Sequence, residues 1–221
     1  MTTTTTARPG LVGRFRSRQS GHPTGVVGRI FGRAMVKDTA AANDRAVELL
    51  DLCEPATVLE VGFGQGRTAA VLVQLGHRVL GVDPSPTMVA QARARNRAAC
   101  RDGRATLTRG DGITIPFPNG TADAAFTVHT IYFMPDPTAT LTDIARVLRA
   151  GGRLVIACRT SDTPLPTWMD PDVYRVATLT QLDEMLDAAG YIDIDHHTTP
   201  APSYDLHLVT ACTPDNSRHE P

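Results

Sequence analysis

The chain has 221 residues, of which 42% are hydrophobic and 20% charged, and its formal net charge is −1. Such proportions are ordinary for a globular protein and fit one domain with a substantial core. No run approaches 18 apolar residues, so we expect no membrane span. The four cysteines form no C-x-x-C pair, and we therefore expect neither a metal site nor a disulfide framework.

Basic residues are concentrated at the N-terminus. Residues 1–37 hold seven basic side chains and no acid, and an acid-poor segment rich in arginine and threonine has the composition of an organellar transit peptide. Only one of the 22 basic residues is a lysine, however, and this arginine bias with abundant alanine is typical of a GC-rich bacterial gene. We therefore expect a cytoplasmic protein. Residues 1–20 are expected to be a disordered basic tail.

A second arginine cluster extends from Arg93 to Arg104. No aromatic residue is interleaved with these arginines to stack on nucleic-acid bases. The cluster is therefore expected to be a solvated helix face, and we expect no nucleic-acid partner.

The segment from Val58 to Gly66 predicts a buried parallel strand that breaks into a glycine loop, followed by a helix from Arg67 to Leu75. Glycines at 62, 64 and 66 leave room for a small polar ligand against bare backbone, although such a loop can also be a structural turn. The dinucleotide fingerprint G-x-G-x-x-G would need a glycine where this chain has Arg67. The spacing therefore argues against an NAD site.

Further strands and helices alternate after the loop. The run Arg78–Asp83 predicts a second strand, which ends in an acid 23 positions after Glu60, near the offset of a ribose-binding carboxylate. Predicted strands follow at Ala105–Gly112, Ala122–Val128 and Gly152–Cys158. Helices are expected from Ser85-Pro86, from Asp136 to Gly151, and from Thr180, capped with Asp183, to Gly190.

Two strands end the predicted fold. The runs Tyr191–His196 and Leu206–Cys212 are separated by too few residues for a parallel crossover, so they predict an antiparallel hairpin. The sequence thus predicts an α/β, Rossmann-like three-layer sandwich with a seven-stranded, mostly parallel sheet and an antiparallel C-terminal hairpin strand.

Residues 57–213 resemble the class I S-adenosylmethionine-dependent methyltransferase family. The resemblance lies in Glu60, the glycine loop, Asp83, Asp111 and the terminal hairpin. An NAD-binding Rossmann half would instead continue with βα units. The resemblance implies S-adenosyl-L-methionine as the cofactor. It also implies a set of cofactor-binding residues that follow the first four strands: Glu60, Gly62, Phe63, Gly64, Gly66, Asp83, Pro84, Ser85, Met88, Asp111, Gly112, Val128 and His129.

Two of these acids have a simpler alternative. In the resembled family Asp83 accepts from both ribose hydroxyls, and Asp111 accepts from the adenine amino group. Asp83 could instead be an ordinary strand-end acid in a turn. Asp111 could be a turn aspartate that binds its own backbone, which is common in an Asp-Gly pair.

The segment after the fourth strand, residues 128–133, indicates the acceptor class. It lacks both the Asn/Asp-Pro-Pro-Tyr/Phe motif of amino-methylating DNA enzymes and the Pro-Cys of RNA cytosine-C5 enzymes. A small-molecule acceptor is therefore expected, and the segment is most similar to the ubiquinone/menaquinone-biosynthesis-like group. His129 could act as a general base or only shape the cofactor pocket, and Tyr132 could donate to the substrate.

The predicted domain organisation has four parts. A tail at 1–20 precedes an N-terminal helical segment at 21–56, where His22 to Arg29 is either a glycine-containing lid or a plain linker. The core spans 57–213, and 214–221 is a flexible tail. The predicted function is methyl transfer to a small molecule by direct displacement, with a non-catalytic S-adenosylmethionine-binding protein or an NAD-dependent oxidoreductase as alternatives. The sequence does not indicate an oligomeric state.

Overall fold

The computed structural model of the protein describes residues 9–21, 39–52, 55–201 and 204–215. Its centre is a seven-stranded sheet with the order β3-β2-β1-β4-β5-β7-β6. The strands are β1 (Thr57–Val61), β2 (Arg78–Asp83), β3 (Ala105–Arg109), β4 (Ala122–Val128), β5 (Leu148–Cys158), β6 (Ile192–Ala201) and β7 (Tyr204–Cys212). Strands β1 to β5 pair in parallel, and β7 lies antiparallel between β5 and β6. The predicted sheet and its terminal hairpin are confirmed.

Helices cover both faces of this sheet. They are α1 (Leu11–Gly21), α2 (residues 39–49), α3 (Arg67–Gln74), α4 (Pro86–Arg95), α5 (Arg97–Arg101), a 3-10 turn at Ile131–Phe133, α6 (Pro137–Val147) and α7 (Leu179–Ala188). None of the helices that the structure describes is long and apolar enough to cross a bilayer.

Two apolar clusters make the core, one on each face. Leu59 belongs to the cluster that α6 and α7 cover, whereas its neighbour Val58 belongs to the cluster under α2 to α5. Successive residues of a strand point to opposite faces, so a continuous apolar strand such as β1 must be covered on both sides. The result is the three-layer sandwich that the sequence predicts.

The strand order reverses at β1, which pairs with β2 on one side and β4 on the other. The chain leaves these neighbouring strands in opposite directions across the sheet, and this opens a crevice beyond their carboxyl ends. The glycine loop after β1, the acid at the end of β2 and the segment after β4 all lie at this edge.

Several predicted boundaries need correction. Helix α6 ends at Val147 rather than at Gly151, because Leu148 already pairs with Ala122 as part of the β4–β5 ladder. The cap of α7 is Thr178 with Gln181, two residues before the predicted Thr180, and both reciprocal capping bonds are present. Strand β6 continues to Ala201, five residues beyond the predicted run, and β7 begins at Tyr204, two residues before its predicted start.

The expectation of disorder does not hold for the end of the 1–20 tail. Helix α1 begins at Leu11, and the fully buried Ser17 fixes it to the segment before α7. The Ser17 hydroxyl donates to the carbonyl of Trp168 at 3.0 Å and accepts from the backbone N–H of Asp170 at 3.0 Å. Residues 1–8 and the proposed lid at His22 to Arg29 lie outside the described residues, as do residues 216–221.

Candidate functional site

A cavity of about 160 Å³ lies at the carboxyl ends of β1, β2 and β4. Ten of the predicted cofactor residues line it: Glu60, Gly62, Phe63, Gly64, Asp83, Pro84, Met88, Gly112, Val128 and His129. The sheet edge that the strand reversal opens is therefore the edge where the predicted residues meet.

The three loop glycines serve different purposes, although all have positive φ. A Cβ on Gly62 would lie 2.2 Å from the Thr130 hydroxyl oxygen, so the β1 loop can pass the segment after β4 only with a glycine at this position. A Cβ on Gly64 would meet nothing within 4 Å, because Gly64 borders the cavity. Gly66 caps α3 and packs on Ala92 and Asn96 instead of lining the cavity. The close contact with Ala92 and Asn96 therefore explains why residue 66 is a glycine.

Glu60 is the most unusual residue of the site. Its side chain comes from the carboxyl half of β1 and only 3% of the residue is exposed. Oε2 has no hydrogen-bond partner within the part of the chain that the structure describes. Burial, with a smaller contribution from the charge of Asp83, raises the pKa of Glu60 to about 8. A buried carboxyl group with an unsatisfied oxygen and a raised pKa marks a place where a ligand could donate a hydrogen bond or place a positive charge.

Asp83 ends β2 and holds the loop in place. One carboxylate oxygen accepts from the N–H of Gly64 at 2.9 Å and the other from the N–H of Ser85 at 2.9 Å. Burial raises its pKa to about 6, although these two hydrogen bonds act in the opposite direction. The carboxylate thus connects the β1 loop to the cap of α4 and still borders the cavity.

His129 follows β4 with a φ of 53°, a conformation that costs a non-glycine residue on the order of 1–3 kcal/mol. Its backbone N–H donates to Ala157 at 2.8 Å, and its Nδ1 lies 3.0 Å from the hydroxyl of Tyr132. Burial, with the nearby charge of Arg159, lowers the pKa of His129 to about 4. The ring is therefore neutral at physiological pH.

Three more predicted site residues do not line the cavity. Tyr132 is only 2% exposed, and its hydroxyl forms a hydrogen bond with Nδ1 of His129. Ser85 caps α4 through its hydroxyl. Asp111 is exposed, and one of its oxygens accepts from the N–H groups of Ile113 and Thr114 at 2.8 and 2.7 Å. Asp111 therefore forms the turn that the sequence left as its alternative, and its neighbour Gly112 reaches the cavity instead.

The N-terminal helices provide part of the cavity wall, which the sequence did not indicate. Ser20 of α1 and Thr39 and Asn43 of α2 line the cavity. The Asn43 side chain accepts from the hydroxyl of Thr68 at 3.1 Å, which connects α2 to the start of α3. The spacing of Ala42, Ala46 and Leu50 would have predicted the buried face of α2, but it gives no sign of the adjacent polar face.

The remaining lining is mainly apolar. Ile115, Phe133 and Met134 come from the segments after β3 and β4, and the Phe133 ring packs at 4.8 Å from that of Tyr174. Among the described residues no cluster of histidine, cysteine or acidic side chains could hold a metal ion. The site thus combines two buried acids, Glu60 and Asp83, with apolar and aromatic residues in one lining.

Comparisons with known proteins agree with this geometry. Residues 59–156 match the family model of the methyltransferase domain. An O-methyltransferase of Pyrenophora dematioidea is 30% identical over 72% of this chain and 66% of its own length. A demethylmenaquinone methyltransferase of Tropheryma whipplei is 35% identical over 50% of this chain and 45% of its own length. The chain spans between 42% and 66% of the length of these and other curated relatives that it matches.

Among solved structures, the Burkholderia thailandensis 1,6-didemethyltoxoflavin-N1-methyltransferase is similar with a TM-score of 0.70 and 26% identity, over 95% of this chain and 92% of that one. That structure contains 1,6-didemethyltoxoflavin and S-adenosylhomocysteine. The family match, the sequence relatives and the shared fold show that the chain belongs to the class I S-adenosylmethionine-dependent methyltransferase family.

Proposed function

We propose that this protein transfers a methyl group from S-adenosyl-L-methionine to a small-molecule acceptor by direct displacement. The observation that carries the proposal is Glu60, a buried carboxyl group with an unsatisfied oxygen beside a cavity and near a second buried acid, Asp83. Such a pair is costly when nothing cationic or hydrogen-bonding occupies the cavity. A ligand with a positively charged end and hydroxyl donors fits these two acids.

The residues present fit this cofactor. Glu60 would face its positively charged end, and Gly64 offers open backbone at the glycine loop. Asp83 would accept from the ribose hydroxyls, and Met88 and Pro84 would border the adenosine. When bound, the cofactor supplies a methyl group that is already activated by its positive sulfur. The chain then needs chiefly to align the acceptor and to exclude water.

The acceptor is a small molecule in this proposal. The apolar wall of Ile115, Phe133 and Met134 suits a flat or lipophilic acceptor better than a nucleic acid. Support comes from the relatives, because the similar proteins include O-methyltransferases, a demethylmenaquinone methyltransferase and an enzyme crystallised with 1,6-didemethyltoxoflavin. Cytoplasmic location and the lack of a nucleic-acid partner stay predictions, and so does membership of the ubiquinone/menaquinone-biosynthesis-like group.

The test is a transfer assay on the full chain with methyl-labelled S-adenosylmethionine. The acceptor panel contains phenols, hydroxyquinones and heteroaromatic compounds, including 1,6-didemethyltoxoflavin, and mass spectrometry detects the methylated product. We expect S-adenosylhomocysteine to form in proportion to the product. Tight cofactor binding without transfer to any member of the panel would instead favour a non-catalytic binding protein.

The variant Asp83→Asn tests the cofactor end of the site. Loss of charge-assisted hydrogen bonds, at roughly 1.5–3 kcal/mol each, should weaken cofactor binding at least about tenfold. Asp102→Asn is the matched control, because Asp102 is half exposed and forms an ion pair with Arg104 on the surface, away from the cavity lining. Equal cofactor affinity in the two variants would show that Asp83 is only a turn residue and does not bind the cofactor.

A further inference from the structure

Helix α1 exposes three large apolar side chains close together. Leu11 is 85% exposed, Val12 83% and Phe15 49%, and we call these three residues the α1 patch. The other large apolar side chains that are exposed in the described part of the chain are Leu75, at the end of α3, and Ile192, at the start of β6. A single exposed apolar residue is ordinary, whereas three within five positions of one helix indicate a contact surface.

The α1 patch lies on the side of the helix that faces away from the rest of the protein. Ser17 is fully buried and donates to the carbonyl of Trp168. A Cβ on Gly13, one turn earlier, would lie 3.4 Å from the same carbonyl oxygen. Gly13 and Ser17 therefore mark the inner face of α1. Since a helix has about 3.6 residues per turn, the three patch residues fall on its outer side.

The segment that carries the patch is positively charged. Residues 1–37 contain seven basic side chains and no acid. Two of the basic residues, Arg14 and Arg16, lie on α1 beside the patch, and the side chain of Arg14 is 43% exposed. Asp170 is buried and pairs with Arg14 at 3.5 Å, but one acid leaves the segment with a net positive charge. The patch thus combines exposed apolar side chains with nearby arginines.

We propose that α1 docks on an anionic lipid surface, with the patch inserted at the level of the lipid headgroups and the arginines beside the lipid phosphates. Peripheral helices that bind membranes combine an apolar face with basic residues around it, because shallow insertion and charge attraction are each weak alone and add together. Arginine suits this position, since its stem can follow apolar surface while its charged end stays among the headgroups.

Other partners fit the patch less well. A second copy of the chain would bring two segments of the same positive charge together, and these repel each other. A stable interface between proteins takes roughly 20–30 residues from each side, whereas the patch offers three. A lipid surface needs no matching protein area, so charge and size both favour it as the partner.

The docking surface lies close to the cavity. Ser20 of the same helix lines the cavity, and it follows Leu11 by about 14 Å along the helix axis, at roughly 1.5 Å per residue. Docking through the patch therefore holds the cavity within one helix length of the lipid surface. This attachment goes beyond methyl transfer and requires neither cofactor nor acceptor, so it stands or falls independently of the proposed function.

The test is co-sedimentation of the full chain with large vesicles, made either of phosphatidylcholine alone or of equal parts of phosphatidylcholine and phosphatidylglycerol. We expect binding to the anionic vesicles to be at least about tenfold stronger than to the neutral ones, and to weaken as sodium chloride rises from about 0.05 M to about 0.5 M. S-adenosylhomocysteine should make no difference. Equal binding to both kinds of vesicle, or binding to neither, would overturn the proposal.

Two double variants separate the α1 patch from exposed apolar surface in general. Leu11→Ser with Val12→Ser should weaken binding to the anionic vesicles at least about tenfold. Leu75→Ser with Ile192→Ser is the matched control, because it also replaces two exposed apolar side chains, and it should bind as the wild type does. Thermal denaturation verifies that both variants are folded. Unchanged binding in the α1 variant, or equal losses in both variants, would overturn the proposal, as would a lipid-free dimer of the wild type that the α1 variant does not form.

Discussion

At the scale of single residues, Gly64 and Gly66 form a matched pair. Both have positive φ, so alanine adds similar backbone strain of roughly 1–2 kcal/mol at each. Only at Gly66 does the new methyl group also collide, 2.8 Å from Ala92 and Asn96. We expect urea denaturation to show Gly66→Ala less stable than Gly64→Ala by at least about 1 kcal/mol.

Cofactor binding should show the reverse order for this pair. The methyl group of Gly64→Ala enters the open space beside the cavity, so this variant should bind S-adenosylhomocysteine more weakly than Gly66→Ala does when both are folded. Calorimetric titration measures both affinities. Wild-type affinity in Gly64→Ala would mean that no ligand lies against this part of the loop.

The raised pKa of Glu60 predicts that the stability of the protein depends on pH. Its pKa rises on folding from 4.5 to about 8, so the folded state favours the protonated acid. The stabilisation from that proton is complete below pH 4.5 and is lost as the pH rises through about 8. The free energy of unfolding of the wild type should therefore fall relative to Glu60→Gln between pH 5 and pH 8, by up to ~1.4 kcal/mol for each unit of pKa shift.

Denaturation with urea at several pH values measures this difference. Glu48→Gln is the control, because Glu48 is exposed and pairs with Arg45 on the surface of α2. Its stability should follow that of the wild type at every pH. A constant difference between wild type and Glu60→Gln across this range would show that Glu60 is ionised in the folded protein.

That Glu60 and Asp83 meet at the cavity could be predicted from the sequence, because strand ends fix their positions. Glu60 and Asp83 occupy the ends of neighbouring parallel strands, and the spacing of two strand-loop-helix units brings such positions together. Asp111 shows the limit of this reasoning. The sequence places it correctly after β3, but whether its carboxylate turns to the cavity or to its own turn depends on local hydrogen bonds.

At the scale of elements, α1 is the main difference between the structure and the elements that the sequence predicts. Its residues are largely polar or exposed, so hydrophobic periodicity gives no sign of a helix. Tertiary contacts hold it instead: Ser17 binds the backbone at Trp168 and Asp170, and the Arg16 guanidinium lies 4.1 Å from the centre of the Trp168 ring. Such contacts join residues about 150 positions apart, which local patterns cannot reveal.

The Ser17→Ala variant tests this attachment. It removes two hydrogen bonds and leaves the buried N–H of Asp170 without its acceptor, so the free energy of unfolding should fall by about 1–3 kcal/mol. Ser161→Ala replaces an exposed serine and should have no measurable effect. Equal stability of the two variants, measured by thermal and urea denaturation, would mean that the hydrogen bonds of Ser17 do not stabilise the fold.

Because α1 begins at Leu11 and its Ser20 lines the cavity, the predicted boundary at residue 20 between a disordered tail and a helical segment does not match the structure. The described part of α1 belongs with the wall of the site. Helix and strand ends elsewhere differ from expectation by a few residues for a similar reason: Leu148 fits the apolar repeat of α6, but its pairing with β4 places it in β5.

At the scale of the whole molecule, alternating strand and helix patterns were enough to predict the fold. Five strands, each but the third followed by a helix, allow few arrangements other than a parallel sheet covered on both faces, and a short final connection requires an antiparallel strand. The observed order β3-β2-β1-β4-β5-β7-β6 follows these rules. The part of the cavity wall that α1 and α2 provide could not be predicted in this way, since these helices are distant in the chain from the strand ends.

The central claim is that this fold binds the methyl-donor cofactor in the cavity beside Glu60 and Asp83. Calorimetric titration of the full chain with S-adenosylmethionine, S-adenosylhomocysteine and NAD tests it most directly, with thermal denaturation as a second readout. We predict that both sulfur compounds bind with about micromolar affinity or better and raise the melting temperature, and that NAD does neither. Micromolar binding of NAD without a response to either sulfur compound would contradict the account.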